Sequence, residues 1–362
     1  MKSSINGTLI DRNVNGTYVI FEAGPTHTGY ESAIKLIDIA KAAGAHAIKF
    51  QYLDADRLMA DKSVKFSYSY LEIGADGKEK FVPTEEALFD ILKRRMLEKD
   101  EWRKIKKHCD EVGITFISTA LFNEEVDFLV DELKVGSIKL ASADINNLPF
   151  IKYCAKKCAE TNTNFQMDTG NADIWEIERA VIVAEEMGCE NIVIHHCPTG
   201  YPARLQSINL NTIKTLKLLF PEYAIAFSDH TEGWDMDIAA IAIGADMVEK
   251  TITLDRTTKS CEHSFSLSPD MGEAFIAAIR NVDIALGSTR RVIPQAEKQK
   301  RRVARRSPYL KTDMKAGDII TEDKFELRRP EAGMTIIEFG SVIGKKLKTD
   351  ISKDQPLMAD HV

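Results

Sequence analysis

Eight short runs rich in β-branched and aromatic residues punctuate this chain: Tyr18–Ala23, Ala47–Gln51, Thr115–Ser118, Ser137–Leu140, Asn164–Asp168, Asn191–His195, Ala224–Ser228 and Met247–Thr251. Amphipathic stretches such as Ser32–Ala43, Glu101–Glu111, Ile174–Met187 and Asp237–Gly244 separate them, and most runs recur every 22–33 residues. One strand plus one crossover helix has that length, so eight in succession predict a (β/α)8 barrel. A doubly wound sheet is the rival, but it seldom needs eight such units and opens on a glycine-rich turn that this chain lacks. With 362 residues, 44% of them hydrophobic, there is interior enough for one large domain, or one large and one small. The remaining composition is that of a soluble protein: 28% charged residues, net charge -7 and no apolar run long enough for a membrane span. The first residues lack the apolar core of a secretory signal, and six cysteines are scattered without a CxxC pair. The expectation is a cytoplasmic enzyme.

The run ends are polar: Glu22, Lys49 and Gln51, Ser118 and Thr119, Lys139 and Ser142, Asp168, His196, Ser228 to His230, and Glu249. In a barrel these ends converge on one mouth, where active sites are built. Any single strand end meets solvent and is polar for that reason alone; eight together, with two lysines and several carboxylates, argue for a site. His195, alternating with His196, is expected to face the helix layer. One interval is too long: Tyr52–Lys80 reads as a flap over the mouth, followed by a helix near Thr84–Leu97.

The barrel pattern ends near Gly287, which gives a domain of residues 1–287. Ser288–Arg306 then holds eight Arg/Lys and one acid, Glu297. It lacks interleaved aromatics and sits in an acidic protein, so residues 288–302 read as a basic linker rather than a nucleic-acid contact. Residues 303–362 form a compact module, with turn signals at Lys315–Asp318 and Pro330–Gly333. Sixty residues bury little core, so this module should lean on a barrel, its own or a partner's.

Lys49 and Lys139 at strand ends are costly to bury without an anion. Read as chemistry they clamp a phosphate or carboxylate, with Ser142, Thr119 and Ser228 adding hydrogen bonds. Read as structure they pair with Glu22, Asp144 or Asp168.

Longer motifs then carry a resemblance. Phe21-Glu22-Ala23-Gly24-Pro25, Ala47-Ile48-Lys49-Phe50-Gln51, Ser137-Ile138-Lys139-Leu140-Ala141-Ser142, Phe227-Ser228-Asp229-His230-Thr231 and Thr253-Leu254-Asp255-Arg256 follow in order. With Leu327-Arg328-Arg329-Pro330 and Val342-Ile343-Gly344-Lys345 in the tail, the chain resembles the sialic acid synthase family over nearly its whole length. The resemblance implies a TIM barrel followed by a small C-terminal SAF (antifreeze-like, β-clip) domain. It also implies a transferase that condenses phosphoenolpyruvate with an open-chain N-acylamino hexose, releasing phosphate and a nonulosonic acid. The acceptor implied is N-acetylmannosamine or a 2,4-diacylamino-6-deoxy hexose.

On that resemblance Lys49, Lys139, Ser142 and Ser228 grip phosphoenolpyruvate, with Thr119 close by. Glu22 does acid/base work, Gln51, Thr199 and Tyr201 line the sugar site, and His230 binds a divalent metal, Mn2+ or Mg2+. Arg329 reaches a partner barrel and contacts the acylamino group there, which implies a domain-swapped homodimer with neither nucleic acid nor membrane as partner. The chain departs from the family at four places: Thr251 replaces the second metal histidine, Asp144 a glutamate, Asp168 a serine and Glu262 an aspartate. Glu249, and downstream Cys261 or His263, then remain as metal candidates beside His230, and Asp168 would repel phosphate unless it pairs with a lysine or the metal. The rivals are a 3-deoxy-ulosonate synthase, against which the C-terminal module argues, and a non-catalytic sugar- or phosphate-binding barrel.

Overall fold

A computed structural model describes residues 2–362, which fall into two compact units that divide between Gly287 and Ser288. In the first, eight parallel strands close on themselves: β1 (Tyr18–Glu22), β2 (Ala47–Gln51), β3 (Thr115–Thr119), β4 (Ser137–Leu140), β5 (Asn164–Asp168), β6 (Ile192–His196), β7 (Ala224–Asp229) and β8 (Met247–Thr251). The ring is completed where Met247 of β8 pairs with Tyr18 of β1, a register that carries on to Thr251 opposite Glu22. This is a TIM barrel.

Seven of the connecting helices are single α-helices: Tyr30–Ala43, Lys99–Val112, Leu148–Thr161, Ile174–Glu186, Thr212–Leu219, Asp235–Ile243 and Gly272–Leu286. After β3 the chain makes a shorter helix, Asn123–Asp127, which runs on into a π-helical turn at Phe128–Glu132. Local sequence sets the helix ends. The Lys99–Val112 helix starts where the Glu101 carboxylate accepts from the Glu98 backbone N–H at 2.8 Å, and it stops at Gly113, φ 73°.

Strand residues alternate between two environments, as period-two geometry requires. Outward positions such as Phe21, Phe50, Phe116, Phe165 and Phe227 join the helices in the main apolar core. Inward, Tyr18, Ile20, Ala47, Ile117, Val193, Ala224, Ala226 and Met247 pack with Ile5 and Ile10 of the N-terminal segment. That segment, a small hairpin of Ser4–Ile5 and Thr8–Leu9, plugs the floor of the barrel.

The interval after β2 differs from expectation. Lys65–Ile73 and Glu79–Ala87 form an antiparallel hairpin turning through Gly74–Gly77, so Thr84 lies in a strand and the helix is only Leu88–Lys93. The apolar pattern that suggested a longer helix belongs partly to a strand whose faces are unevenly buried. Within the second unit, strands Ser307–Leu310 and Phe325–Arg328 pair antiparallel over a core that includes Leu310, Ile320, Phe325, Phe339 and Leu357. The basic stretch is partly helical, Gln295–Ala304, and that helix buries none of its residues.

Trp102, 1% exposed, packs its ring edge-on to Phe50, Tyr52 and His27 and so ties the Lys99–Val112 helix to β2. Trp102→Ala is expected to cost about 3–5 kcal/mol, measured as a lower midpoint of urea unfolding.

Candidate active site

The same alternation that builds the core sends one polar row into the barrel above it. Lys49, Lys139, Gln166, His195, Ser228 and Glu249 are all inward positions, and each is at least 95% buried. Lys139 Nζ lies 2.9 Å from both oxygens of Glu249, 2.9 Å from Asp168 Oδ2 and 3.0 Å from Ser228 Oγ. Lys49 Nζ pairs with Glu22 Oε2 and sits 3.5 Å from Glu249 Oε1. His195 bonds Ser228 Oγ at 2.9 Å and Gln166 Oε1 at 2.7 Å. The result is one continuous network from Gln166 on β5 to Glu22 on β1.

His195 therefore faces the barrel interior, against expectation. It is His196 that turns outward, bonding the Ile208 carbonyl and stacking on Phe227. Counting strictly in twos from buried Val193 places His195 inward; the polar run end misled because both histidines are polar.

Environment drives the two lysines apart. For Lys139, burial opposes the charge, but Asp168 and Glu249 outweigh it and hold the ammonium well above the usual lysine value. For Lys49, burial wins and pulls it below its ordinary value, with Glu249 opposing and Lys139 reinforcing the shift. Burial alone would raise the Glu249 carboxyl, yet Lys139 and Lys49 bring it down to about 2. His195 is held at about 3 by burial and by Lys139, so it is neutral.

A cavity of about 460 Å³ opens above this network. Glu22, Lys49, Thr119, Ser142, Asp168 and Glu249 line its deep side, and Gln51, Asp144, Tyr201, His230 and Glu262 line the rest. Lys139 and Ser228 lie just beneath. Thr199 is exposed and belongs with Tyr201 to a wider recess against the hairpin. Arg329 is an exposed residue of the second unit.

Backbone constraints hold the cavity in shape. Glu22 Oε1 accepts from the Gly24 N–H at 2.5 Å. A Cβ on Gly24 would fall 2.7 Å from the Gln51 backbone nitrogen, so only glycine lets Glu22 and Gln51 approach this closely. Glu262 stands at φ 77°, a left-handed conformation that costs a non-glycine residue about 1 kcal/mol or more. Behind the sheet, buried Lys250 pairs with Asp229, which also accepts from the Thr231 N–H at 2.9 Å and so fixes the turn carrying His230.

The residues present do not fit the metal expected at His230 and Glu249. Glu249 is the shared counter-ion of two lysines. His230 bonds the Pro198 carbonyl through Nδ1 at 3.2 Å and packs against the Tyr201 ring. Thr251, inward on the same strand, offers no imidazole, and among the described residues no three His, Cys, Asp or Glu side chains converge on a cation position.

Two features escaped the sequence reading. One is an apolar wall of Leu88, Ile91, Leu92 and Phe66, supplied by the excursion after β2. The other is Arg95, 5% exposed, which continues the Leu88-Ile91-Leu92 face at helical spacing; a charge on that face was the available signal.

Comparison with known proteins accords with this geometry. Residues 36–291 match the NeuB family, and residues 305–362 match the SAF domain. An uncharacterized protein of Methanocaldococcus jannaschii is 32% identical, covering 96% of this chain and 94% of its own. The N,N'-diacetyllegionaminic acid synthase of Campylobacter jejuni is 31% identical over 94% of this chain and 98% of its own. The crystal structure of a sialic acid synthetase from Leptospira borgpetersenii superposes with a TM-score of 0.69 at 25% identity, covering 83% of this chain and 95% of that one. With its barrel and its C-terminal domain both matched, the chain belongs to the NeuB family.

Proposed function

We propose that this protein is a phosphoenolpyruvate-dependent synthase that condenses the enolpyruvyl unit with the aldehyde of an open-chain N-acylamino hexose. The product is a nonulosonic acid, and phosphate is released. The observation that carries the reading is a pair of buried lysines beside Glu22, Lys49 in the wall of a cavity with room for a three-carbon and a six-carbon substrate and Lys139 just beneath it.

In this reading the enol carbon bonds to the aldehyde carbon, and the aldehyde oxygen gains a proton. Water then adds to the carbon that bears the phosphate ester, and the C–O bond to phosphate breaks to leave the ketone. Lys139, kept cationic by its carboxylates, holds the anionic end of phosphoenolpyruvate, with Ser142, Thr119 and Ser228 donating from hydroxyls. A phosphate here exchanges with Asp168, the carboxylate at the rim of the network, which is how this chain tolerates an acid in that place. Lys49 is the lysine that releases a proton most readily, so it serves the developing alkoxide, while Glu22 handles the attacking water. No step runs through a cation, because the donor set does not fit one.

The C-terminal domain enters through charge. Ser288–Val362 carries 17 Lys/Arg against 11 Asp/Glu, whereas Met1–Gly287 carries 31 against 44. That asymmetry and the exposure of Arg329 support a homodimer in which the domain of one copy serves the barrel of the other. None of the described helices is long and apolar enough to cross a membrane. Phosphoenolpyruvate as co-substrate points to the cytoplasm.

Three outcomes are expected when phosphate release from phosphoenolpyruvate is measured with acylamino hexoses. Glu22→Gln lowers kcat about 10²–10⁴-fold. Because the Lys49 pKa is lowered, its charge is present at low pH and lost as pH rises, so kcat/KM falls on the alkaline side below the ordinary lysine value of about 10.4. That limb disappears in Lys49→Arg, whose guanidinium does not titrate. EDTA leaves the rate of the wild-type protein unchanged; a loss reversed by Mn2+ returns the metal to the mechanism. A protein that binds phosphoenolpyruvate and releases no phosphate with any acceptor is a binding protein.

A further inference from the structure

Arg95 is a buried cation without adequate partners. Its Nη2 donates to Cys261 Sγ at 2.8 Å, a weak acceptor, and lies 3.9 Å from Glu262 Oε1, beyond hydrogen-bond reach. Nε is buried and makes no hydrogen bond among the described residues. Burial, and then Arg95 itself, holds His27 and His263 at about 4, so both neighbours are neutral and add no counter-charge. A guanidinium has five N–H donors, and leaving them unpaired in a dry wall is costly. Arg95 nevertheless lines the cavity above the lysines, flanked by Leu88, Ile91, Leu92 and Phe66.

We propose that Arg95, Glu262 and this apolar wall form a subsite for the second N-acyl group of a diacylamino acceptor sugar, the one that N-acetylmannosamine lacks. The guanidinium donates to the acyl carbonyl oxygen, the Glu262 carboxylate accepts from the amide N–H, and the acyl methyl lies on the aliphatic wall. Resting on the synthase reading above, this makes Arg95 a specificity-determining residue that selects a diacylamino, deoxygenated acceptor over a monoacylated, hydroxylated one. A phosphate on the sugar fits worse: Glu262 and Asp144 line the same cavity, and the side chains of Leu88, Ile91, Leu92 and Phe66 that flank Arg95 offer a dianion no donor.

The test compares kcat/KM of wild type, Arg95→Leu and Arg95→Lys for three acceptors: 2,4-diacetamido-2,4,6-trideoxymannose, N-acetylmannosamine and N-acetylmannosamine 6-phosphate. Wild type is expected to prefer the diacetamido sugar. Arg95→Leu is expected to lower kcat/KM for that sugar about 10–100-fold, the range of a hydrogen bond to a charged group, and at least about tenfold more than for N-acetylmannosamine. Arg95→Lys, which keeps the charge but loses the planar fork, recovers part of the loss. The KM for phosphoenolpyruvate reports on folding of the lysine site and is expected to move less than about threefold.

Equal losses for all acceptors make Arg95 a structural residue and overturn the proposal. So does a loss confined to the 6-phosphate, which makes the subsite a phosphate site, or a wild type that prefers N-acetylmannosamine. Phosphate release with none of the three overturns the synthase reading, and the subsite falls with it.

Discussion

Glu249 is the residue on which the interior of this barrel turns. Its carboxylate faces two ammonium groups from across the barrel, Lys139 from β4 and Lys49 from β2. Glu22 and Asp168 supply one carboxylate to each lysine, and Glu249 adds the one that the two share, offsetting part of the several kcal/mol that burying each ammonium costs. The arrangement is not electrically balanced. Glu22, Asp168 and Glu249 face two lysines, and the cations are shared rather than matched one to one. Sharing leaves both lysines able to change partners, which a site for an anion needs and a purely structural ion pair does not.

Much of this was legible in the sequence. The barrel follows from the spacing of eight runs, and the inward row follows from period two, so Lys49, Lys139, Ser228 and Glu249 could be placed on one face before any coordinates. Asp168 was readable as a hazard, and its pairing with Lys139 is the compensation that was called for. The failures have physical causes. His195 and His196 are adjacent and chemically identical, so polarity could not say which faces in. The excursion after β2 was read as helical near Thr84–Leu97 because strand and helix patterns abut there without a glycine or proline break. Arg95 passed unnoticed because its worth depends on burial by Cys261 and Glu262, more than 160 residues away. Glu249 was correctly brought to the mouth, but its role as shared counter-ion to both lysines depends on distances across the barrel that no local pattern encodes.

The two units divide the work by charge as well as by fold. The acidic barrel sets three of its buried cations, Lys49, Arg95 and Lys139, in or beneath one cavity, while the C-terminal domain carries an exposed basic helix, Gln295–Ala304. In the barrel positive charge is outnumbered by acids; in the second unit it is in excess and on the surface.

The plug at the barrel floor has a kinetic consequence. Ile5 and Ile10 seal the end opposite the mouth, so everything that reaches the lysines must come and go by a single door. Whatever sits deepest has to arrive first, because a hexose lodged against Tyr201 and Glu262 would bar its way. In the proposed reaction the same queue would run backwards: the nine-carbon acid would have to clear the passage before phosphate could follow. For the chemistry proposed, a two-residue hydrophobic stopper some distance from any reacting atom thus dictates a compulsory order of substrate addition and product departure.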